Sequence, residues 1–462
     1  MPTPVEFADS HRSRFESELS DWLCIPSIST LPEHRPDLRR AAHWLAEYLR
    51  SMDLPTVEII ETVGQPLIYA EWLGAPGRPT LLGYGHYDVQ PVDPIELWTS
   101  PPFQPAARGG RLFARGAADD KGQILTLIAA VRAYLQTTDN LPINVKLLIE
   151  GEEESGGAGI AAYVREHADR LRADACLVLD SGMFAPGIPA ITLGLRGIVG
   201  GEIEVSGAAR DLHSGTYGGV APNPFQALAE IITGLKDKQG RVLVPGFYDR
   251  VVAPPAEEKA EWARLPFDEA AFLRDEVGSP ALIGEPGYTA LERMWARPTL
   301  EVHGMPGGFT GAGSKTVIPA RASAKISMRL VADQRPAEII DAFVAHVEAI
   351  APKSVRAQVA HGGGGAPPVV ISPKAPAITA AKRALTEAFG REAVFIRMGG
   401  SVPIVSEFAG RLGLPVVVTG WSLPDANAHS PNESLDLEHF HKGILAVMRF
   451  FEQLGSAAGA TR

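Results

Sequence analysis

A repeated arrangement, in which a short apolar run ends in polar or glycine-rich residues, constrains the fold of this chain most strongly. Helix-like stretches such as GQILTLIAAVRAYLQT separate the runs. The runs are TLLGYGHYD, NVKLLIEGEEESGG, ACLVLDSGM and, far downstream, LPVVVTGW. Buried strands that alternate with helices predict an α/β fold with a mostly parallel sheet. Such sheets bind ligands beyond the carboxyl ends of their strands, which is where these polar clusters fall.

The pattern changes after Arg196, where alternating and helix-like segments follow in the order strand, helix, strand, strand, helix, strand. That order is typical of a ferredoxin-like α+β domain. A chain of 462 residues also exceeds the ~250–300 residues at which single cores stop growing. We therefore predict one domain built from residues 1–195 and 376–462, interrupted by an inserted domain at 196–375. The stretch HGGGGAPP near residue 361 resembles a flexible connection.

The composition of the chain limits which binding partners and which cellular location we expect. The formal net charge of -11 argues against nucleic acid and anionic membranes, because both favour basic surfaces. The polar N-terminal segment lacks the apolar stretch of a signal peptide, and no run of ~18 apolar residues occurs. Cys24 and Cys176 allow neither a disulfide framework nor a cysteine-based zinc site. We expect a cytoplasmic protein.

Two polar clusters could hold metal ions. In GHYDVQP, His86 and Asp88 lie two residues apart, so a strand would place them on one side. A metal-bound histidine commonly donates its other ring N–H to a carboxylate, although a turn with a capping aspartate also fits this segment. Asp119 and Asp120 precede a strong helix, where aspartates commonly cap the helix. Alternatively, one of these carboxylates could bridge two cations ~3.5–4 Å apart.

A third cluster is the acidic run from Glu150 to Glu154, which follows a predicted buried strand. Carboxylates so close together repel one another unless cations or solvent neutralise the repulsion. One of them could act as a general base and a neighbour as a metal ligand. Asp180 and His429 each follow a further apolar run, where a single such residue is more often structural. Together these clusters supply two histidines and several carboxylates, an inventory that suits zinc or manganese.

These motifs together resemble the di-metal peptidase family of carnosinases, cytosolic nonspecific dipeptidase, carboxypeptidase G, aminoacylases and succinyl-diaminopimelate desuccinylase. The resemblance runs through most of the chain and is closest to the carnosinase and nonspecific-dipeptidase branch. The matching segments occur in the expected order. They are GHYDVQP, ARGAADDKG, EGEEESGG, GLRGI, DLHSGTYGG, GSKTVIPA, MRLV, MGGSVP and AHSPNE.

The resemblance implies a set of metal ligands. Asp119 would bridge two ions, His86 and His429 would each bind one of them, and Glu154 and Asp180 would complete the shells on opposite ions. It also implies a cis peptide bond between Asp119 and Asp120. The donor set accepts zinc, which we favour, and also manganese or cobalt.

Catalytic roles follow from the same resemblance. Asp88 would orient His86 and modulate its basicity, and Glu153 would be the general base. Because Glu152, Glu153 and Glu154 are consecutive, the alignment must choose among them. The family places base and ligand directly before Ser-Gly, which selects Glu153 and Glu154.

In the inserted domain, the resemblance implies substrate contacts and a homodimer formed through this lid and dimerisation domain. His213 in DLHSGTYGG would enter the active site of the partner subunit and stabilise the oxyanion. Arg329 in MRLV would bind the free carboxylate of the substrate. Gly400 and Ser401 in MGGSVP, which lie beyond the predicted inserted domain, would assist. The alternatives are a structural loop histidine, a surface arginine and a plain glycine turn.

The implied function is metal-dependent hydrolysis of the amide bond of dipeptides, by a metal-bridged water with Glu153 as general base. The alternative enzyme is a deacylase or desuccinylase that uses the same two ions on N-acyl amino acids. A non-enzymatic homologue is less favoured, because no implied ligand or base is substituted in this sequence.

Overall fold

The computed structural model describes residues 1–362 and 365–457, so part of the predicted flexible connection (residues 363 and 364) lies outside the described residues. The chain divides into two compact units. The larger unit contains Met1–Leu193, Ile371–Ile396 and the chain from Pro403 onward, and the smaller contains Gly194–Val370 and Arg397–Val402. Residues 397–402, which the sequence prediction gave to the first domain, therefore belong to the smaller unit.

The helices are, in chain order, α1 (Pro4–Ser10), α2 (Arg12–Leu23), α3 (Arg35–Arg50), α4 (Lys121–Thr138), α5 (Ala158–Glu166), α6 (Ser214–Tyr217), α7 (Pro224–Thr233), α8 (Ala256–Trp262), α9 (Glu269–Ala271), α10 (Ala290–Ala296), α11 (Pro336–Ile350), α12 (Pro376–Phe389), α13 (Pro403–Gly410) and α14 (Leu437–Ala457). Short 3₁₀ turns occupy Pro32–His34, Ile95–Leu97 and Glu153–Ser155, and a π-helical turn occupies Phe272–Val277. In the described part of the chain, no helix is both long and apolar enough to cross a membrane.

The strands are, in chain order, β1 (Thr56–Ile60), β2 (Leu67–Trp72), β3 (Thr80–His86), β4 (Ala106–Arg108), β5 (Arg111–Phe113), β6 (Asn144–Glu150), β7 (Ala175–Val178), β8 (Ala190–Leu195), β9 (Gly197–Ser206), β10 (Leu212–His213), β11 (Thr299–Gly304), β12 (Val317–Ile318), β13 (Arg321–Leu330), β14 (Arg356–Ala360), β15 (Gly365–Ala366), β16 (Val369–Val370), β17 (Val394–Met398), β18 (Val416–Thr419) and β19 (Ser434–Asp436).

The larger unit is built on a mixed sheet with strand order β1-β2-β6-β3-β7-β18-β8. Its four central strands, β6, β3, β7 and β18, run parallel, and antiparallel pairs flank them. Strands β6 and β7 are buried along their whole length, which explains their continuous apolar sequences. Helix α4 packs against β3 on one side and against α1, α2 and α14 on others. The predicted α/β fold with a mostly parallel sheet is confirmed.

A small antiparallel sheet in the larger unit brings two distant parts of the sequence together. Strand β5 pairs with both β4 and β19, and Phe113 lies opposite Ser434. Strand β5 lies shortly before Asp119, and β19 lies shortly after His429. This pairing therefore places two predicted metal ligands close to one another, although 310 positions of sequence separate them.

The smaller unit contains an antiparallel sheet with strand order β11-β13-β9-β14, with β15 beside β9. Helices α7 and α11 pack on one face of this sheet and bury Leu228, Ile231, Phe343 and Val347 in its core. Along β13, buried residues alternate with more exposed ones, as expected for a sheet with one covered face. The chain order and the strand order are those of the predicted ferredoxin-like domain. The assignment of lid and dimerisation roles to this unit stays a prediction.

Candidate metal centre and active site

The candidate site of the larger unit begins where parallel strands end. Strand β3 ends at His86, which lies opposite Glu150 at the end of β6. The neighbouring β7 ends two residues before Asp180. Because the carboxyl ends of parallel strands share one edge of the sheet, these strands bring His86, the acidic run after Glu150 and Asp180 together.

Asp119 lies at the centre of this group, just before helix α4. Its Oδ1 is 3.0 Å from Nε2 of His86, and its Oδ2 is 2.9 Å from Nε2 of His429. The two oxygens of one carboxylate therefore face two different imidazoles. The peptide bond from Asp119 to Asp120 is cis, as the resemblance implies.

The other predicted ligands lie on opposite sides of Asp119. His86, Asp119 and Asp180 offer donor atoms that all lie within 4.8 Å of one another, and so do Asp119, Glu154 and His429. On the second side, Glu154 Oε1 lies 3.2 Å from His429 Nε2. Imidazole nitrogens and carboxylate oxygens in this number suit two divalent ions such as zinc or manganese. The residues present therefore fit the metal pair that the sequence predicts.

Asp88 connects His86 to the acidic loop and is fully buried. His86 Nδ1 lies 3.1 Å from the backbone carbonyl of Asp88 and 3.3 Å from one of its carboxylate oxygens. The two oxygens accept the backbone N–H groups of Glu153 and Glu154 at 3.2 and 3.1 Å. A carboxylate in this position restrains the ring of His86 and the start of the loop that carries the predicted base and ligand.

Glu153 begins the short 3₁₀ turn beyond β6. Burial raises its pKa to about 9, and the nearby charge of Asp180 adds to the effect. Such a shift is common for carboxyls that transfer protons in enzyme active sites. In the metal-free protein this carboxyl therefore holds a proton at neutral pH, and bound cations would lower its pKa toward the range of a general base.

The ionisation of the predicted ligands reflects how closely the acids and histidines are packed. Burial and the charge of Asp119 raise the pKa of Asp180 to about 7. Hydrogen bonds with Asp119 and Glu154 raise the pKa of His429 to about 10. Burial lowers the pKa of His86, but its hydrogen bonds with Asp119 and Asp88 outweigh that effect and raise it. In the metal-free site, these protons neutralise the clustered carboxylates, as bound cations would do.

The smaller unit holds a second group of predicted residues. Nη1 of Arg329 donates to the Ser401 hydroxyl at 2.8 Å, and that hydroxyl donates to the backbone carbonyl of Arg196 at 2.5 Å. The Arg196 guanidinium contacts the carbonyls of Gly399 and Arg297. Burial lowers the pKa of Arg329, and burial together with the Arg329 charge lowers the pKa of Arg196 to about 10.

Two neighbouring guanidinium groups that suffer this repulsion are suited to binding an anion. Within the described residues, neither Arg196 nor Arg329 forms an ion pair with an Asp or Glu side chain. Gly400 contributes its carbonyl, which accepts the backbone N–H of Arg196 at 3.2 Å.

His213 also lies in the smaller unit, at the end of β10, where it is exposed. Its Nδ1 accepts the backbone N–H of Gly215 at 3.1 Å, so the ring caps the short helix α6. That contact leaves Nε2 free of any hydrogen bond within the described residues. The proposed contribution of His213 to a partner subunit stays a prediction.

Comparison with known proteins identifies the family. Residues 82–453 match the model of peptidase family M20/M25/M40. The chain belongs to this family. The M20 assignment makes the chain a metallopeptidase and confirms the resemblance to the carnosinase and nonspecific-dipeptidase branch.

Three relatives illustrate the match. The chain is 30% identical to the Cys-Gly metallodipeptidase dug1 of Schizosaccharomyces pombe, over 98% of each sequence. It is 31% identical to the Beta-Ala-His dipeptidase of Homo sapiens, over 97% of this chain and 92% of the relative. Its structure is similar to that of the M20 family metallo-carboxypeptidase Sso-CP2 from Sulfolobus solfataricus, with a TM-score of 0.85 and 31% identity, covering 96% of this chain and 99% of that one.

The M20 fold also places near the candidate metal centre four residues that the predicted site did not include. Gln90 Nε2 donates to Glu154 Oε2 at 2.7 Å, and Asp120 Oδ2 accepts the backbone N–H of His86 at 3.0 Å. The buried pair of Arg115 and Glu433 lies behind Asp119. All four residues lie inside motifs that matched the family, but no single motif indicates which distant residue each of them contacts.

Proposed function

We propose that this M20 peptidase hydrolyses the amide bond of dipeptides with two divalent metal ions held by His86, Asp119, Glu154, Asp180 and His429. The observation that supports this most is the position of Asp119, whose two oxygens face two histidines at 3.0 and 2.9 Å. Relatives at about 30% identity over nearly the whole chain are named as dipeptidases. Zinc is the ion we favour, and manganese and cobalt suit the same donors.

The ions, when bound, would lower the pKa of a shared water and polarise the scissile carbonyl. Glu153 would accept a proton from the attacking water and return it to the leaving amine. Asp88 would hold the ring of His86 through the contact to Nδ1. Each of these steps relies on a side chain that lies at the same edge of the central sheet.

The substrate carboxylate is the second part of the proposal. Arg329, together with Ser401 and Gly400, would bind the free C-terminal carboxylate of a dipeptide, since its guanidinium has no acidic partner among the described residues. His213 would stabilise the oxyanion in the site of the partner subunit of a homodimer formed through the smaller unit. A dipeptide therefore suits the site better than a peptide that lacks a free carboxylate.

A substrate panel tests this function. The protein is stripped with a chelator, reloaded with zinc, manganese or cobalt in turn, and assayed with Cys-Gly, β-Ala-His, their C-terminal amides, and N-acetyl and N-succinyl amino acids. We expect metal-dependent hydrolysis of the free dipeptides and little hydrolysis of the amides. Turnover confined to N-acyl amino acids would instead establish the deacylase alternative. Full activity after chelation would contradict a metal-dependent mechanism.

A further inference from the structure

The Glu433 side chain is fully buried and meets hydrogen-bond donors on every side. Its Oε1 accepts the backbone N–H groups of Ala118 and Asp119 at 2.8 and 3.0 Å. Its Oε2 accepts Nη1 of Arg115 at 2.7 Å and the backbone N–H of Gly116 at 3.0 Å. Because four donors face the two carboxylate oxygens, the Glu433 side chain acts only as a hydrogen-bond acceptor.

The three backbone donors all belong to the short segment that leads to Asp119. This segment connects β5 to helix α4 and lacks regular secondary structure. Three of its backbone N–H groups are therefore satisfied by the Glu433 side chain instead of by a strand or helix. The contact fixes the position and orientation of the Asp119 backbone, and hence those of the carboxylate that faces both histidines.

Arg115 extends the same contact to a third part of the chain. The side chain is 1% exposed, and its Nη2 donates to the carbonyl of Pro91 at 2.9 Å. The guanidinium also lies over the ring of Trp98, 5.4 Å from its centroid. The ion pair thus joins the Asp119 segment to the loop that follows His86 and Asp88.

Glu433 also anchors the loop that carries His429. This loop has left-handed backbone at Asn427, His429 and Asn432, with φ of 56°, 61° and 62°. Such conformations are unfavourable for residues other than glycine and persist only when their surroundings hold them. The backbone carbonyl of Glu433 accepts the N–H of Ala114 at 3.1 Å, directly before β19 pairs with β5. The side chain and the backbone of one residue therefore set the distance between His429 and Asp119.

We propose that Glu433 is a positioning residue, which holds Asp119 and His429 at the separation that the ion between Asp119, Glu154 and His429 requires. The inference rests on the proposed two-metal function. A carboxylate is needed because it offers acceptors only, whereas the amide of Gln would direct N–H donors at N–H donors. Such a mismatch among buried groups disturbs the segment more than the loss of a single hydrogen bond.

The test measures metal affinity, which does not depend on turnover. Glu433→Gln is stripped of metal and titrated with zinc against a competing chelator. We expect the ion bound by Asp119, Glu154 and His429 to bind ~10–100-fold more weakly, the range found for residues that orient metal ligands. We expect a smaller change for the ion bound by His86, Asp119 and Asp180. Two ions bound with wild-type affinity by the folded variant would overturn the proposal.

A matched control separates positioning from a general loss of stability. Glu285 in the smaller unit is likewise buried and paired with an arginine, Arg297. Glu285→Gln should lower the melting temperature and leave zinc affinity unchanged. If Glu285→Gln and Glu433→Gln weaken zinc binding equally, Glu433 has no specific role in positioning. Should Glu433→Gln not fold, Glu433→Asp keeps the charge but is too short to reach both sets of donors. It should show the same selective loss, and wild-type affinity in that variant would overturn the proposal.

The two proposals fail in different ways. If the wild-type protein binds two ions with high affinity but hydrolyses no dipeptide, the proposed function is wrong while the role of Glu433 can still be measured. If the wild type hydrolyses dipeptides and Glu433→Gln retains both ions, only the role of Glu433 is wrong.

Discussion

Metal binding to this site should release protons, because the metal-free ligands hold them. Hydrogen bonds with Asp119 and Glu154 raise the pKa of His429 to about 10, and those with Asp119 and Asp88 raise the pKa of His86. The His429 imidazole is therefore protonated at pH 8 in the metal-free protein, and the raised pKa of His86 favours the same state there. Metal ions bind only the neutral imidazole, so a protonated histidine must lose its proton when its ion binds.

The size of the effect follows from that count. Loss of at least one proton, from His429, makes the affinity for its ion rise at least ~10-fold for each pH unit between pH 7 and 9. The sign is positive, because groups with raised pKa values hold protons until the pH exceeds those values, and metal competes with the protons. Below pH 7, Asp180, with its pKa of about 7, should contribute a further proton and steepen the dependence.

Calorimetric titration with zinc in two buffers of different ionisation enthalpy measures the protons directly. The observed enthalpy should differ between the buffers by at least about one buffer ionisation enthalpy at pH 8. His429→Ala should lose the ion on its side and with it about one of these protons. An affinity that is independent of pH, or an enthalpy that is independent of the buffer, would refute the proton-coupled account of the site.

Further predictions concern catalysis and substrate binding. Glu153→Gln should lower kcat by ~10²–10⁴-fold while metal analysis still finds both ions. Glu407→Gln should change neither, because Glu407 in helix α13 forms ion pairs only with Arg165 and Arg411 among the described residues. Near-wild-type kcat in Glu153→Gln would mean that another group is the base. Arg329→Met should raise KM for a dipeptide by ~10–100-fold but leave the poor hydrolysis of its C-terminal amide unchanged, and equal effects on both would contradict a carboxylate contact. His213→Ala and Glu153→Gln proteins should each be nearly inactive. A mixed dimer of the two should regain about half of wild-type activity, because one of its two sites keeps Glu153 and receives an intact His213. No recovery in proven mixed dimers would show that His213 does not act across subunits.

The parts of the fold that could be predicted from the sequence are those in which burial leaves a continuous pattern. Strands β6 and β7 are buried on both faces, so their apolar runs stand out, and the polar residues at their ends mark one edge of a parallel sheet. The alternation along β13 and the helical pattern of α11 likewise predict the ferredoxin-like unit. The candidate ligands follow from strand ends and from the family motifs together.

Contacts between distant segments could not be predicted in the same way. Arg115 and Glu433 are separated by 318 positions and meet only because β5 pairs with β19. Neither strand has more than three residues, too few to show a periodic pattern. The assignment of residues 397–402 to the smaller unit could not be predicted for the same reason. It depends on contacts of Gly399 and Ser401 with Arg196, which is distant in sequence.

The segment from residue 240 to 298, to which the sequence analysis assigned no role, is also irregular. It contains the short helices α8, α9 and α10 and a π-helical turn. Side-chain contacts hold it together, including the edge-to-face packing of Trp262 on Trp295 and the ion pair of Glu258 with Arg397. Helices this short give little periodic signal in the sequence, because about two turns or fewer place only one or two residues on each face of the helix.

The central claim is that Asp119 is shared by two ions whose other ligands come from residues 86 to 429. Anomalous diffraction from crystals grown with zinc, recorded on both sides of the zinc absorption edge, tests it directly. We predict two peaks ~3.5–4 Å apart, one beside His86 and Asp180 and the other beside Glu154 and His429, with an Asp119 oxygen next to each. A single peak, or zinc bound elsewhere while these side chains keep their direct contacts with Asp119, would contradict the account.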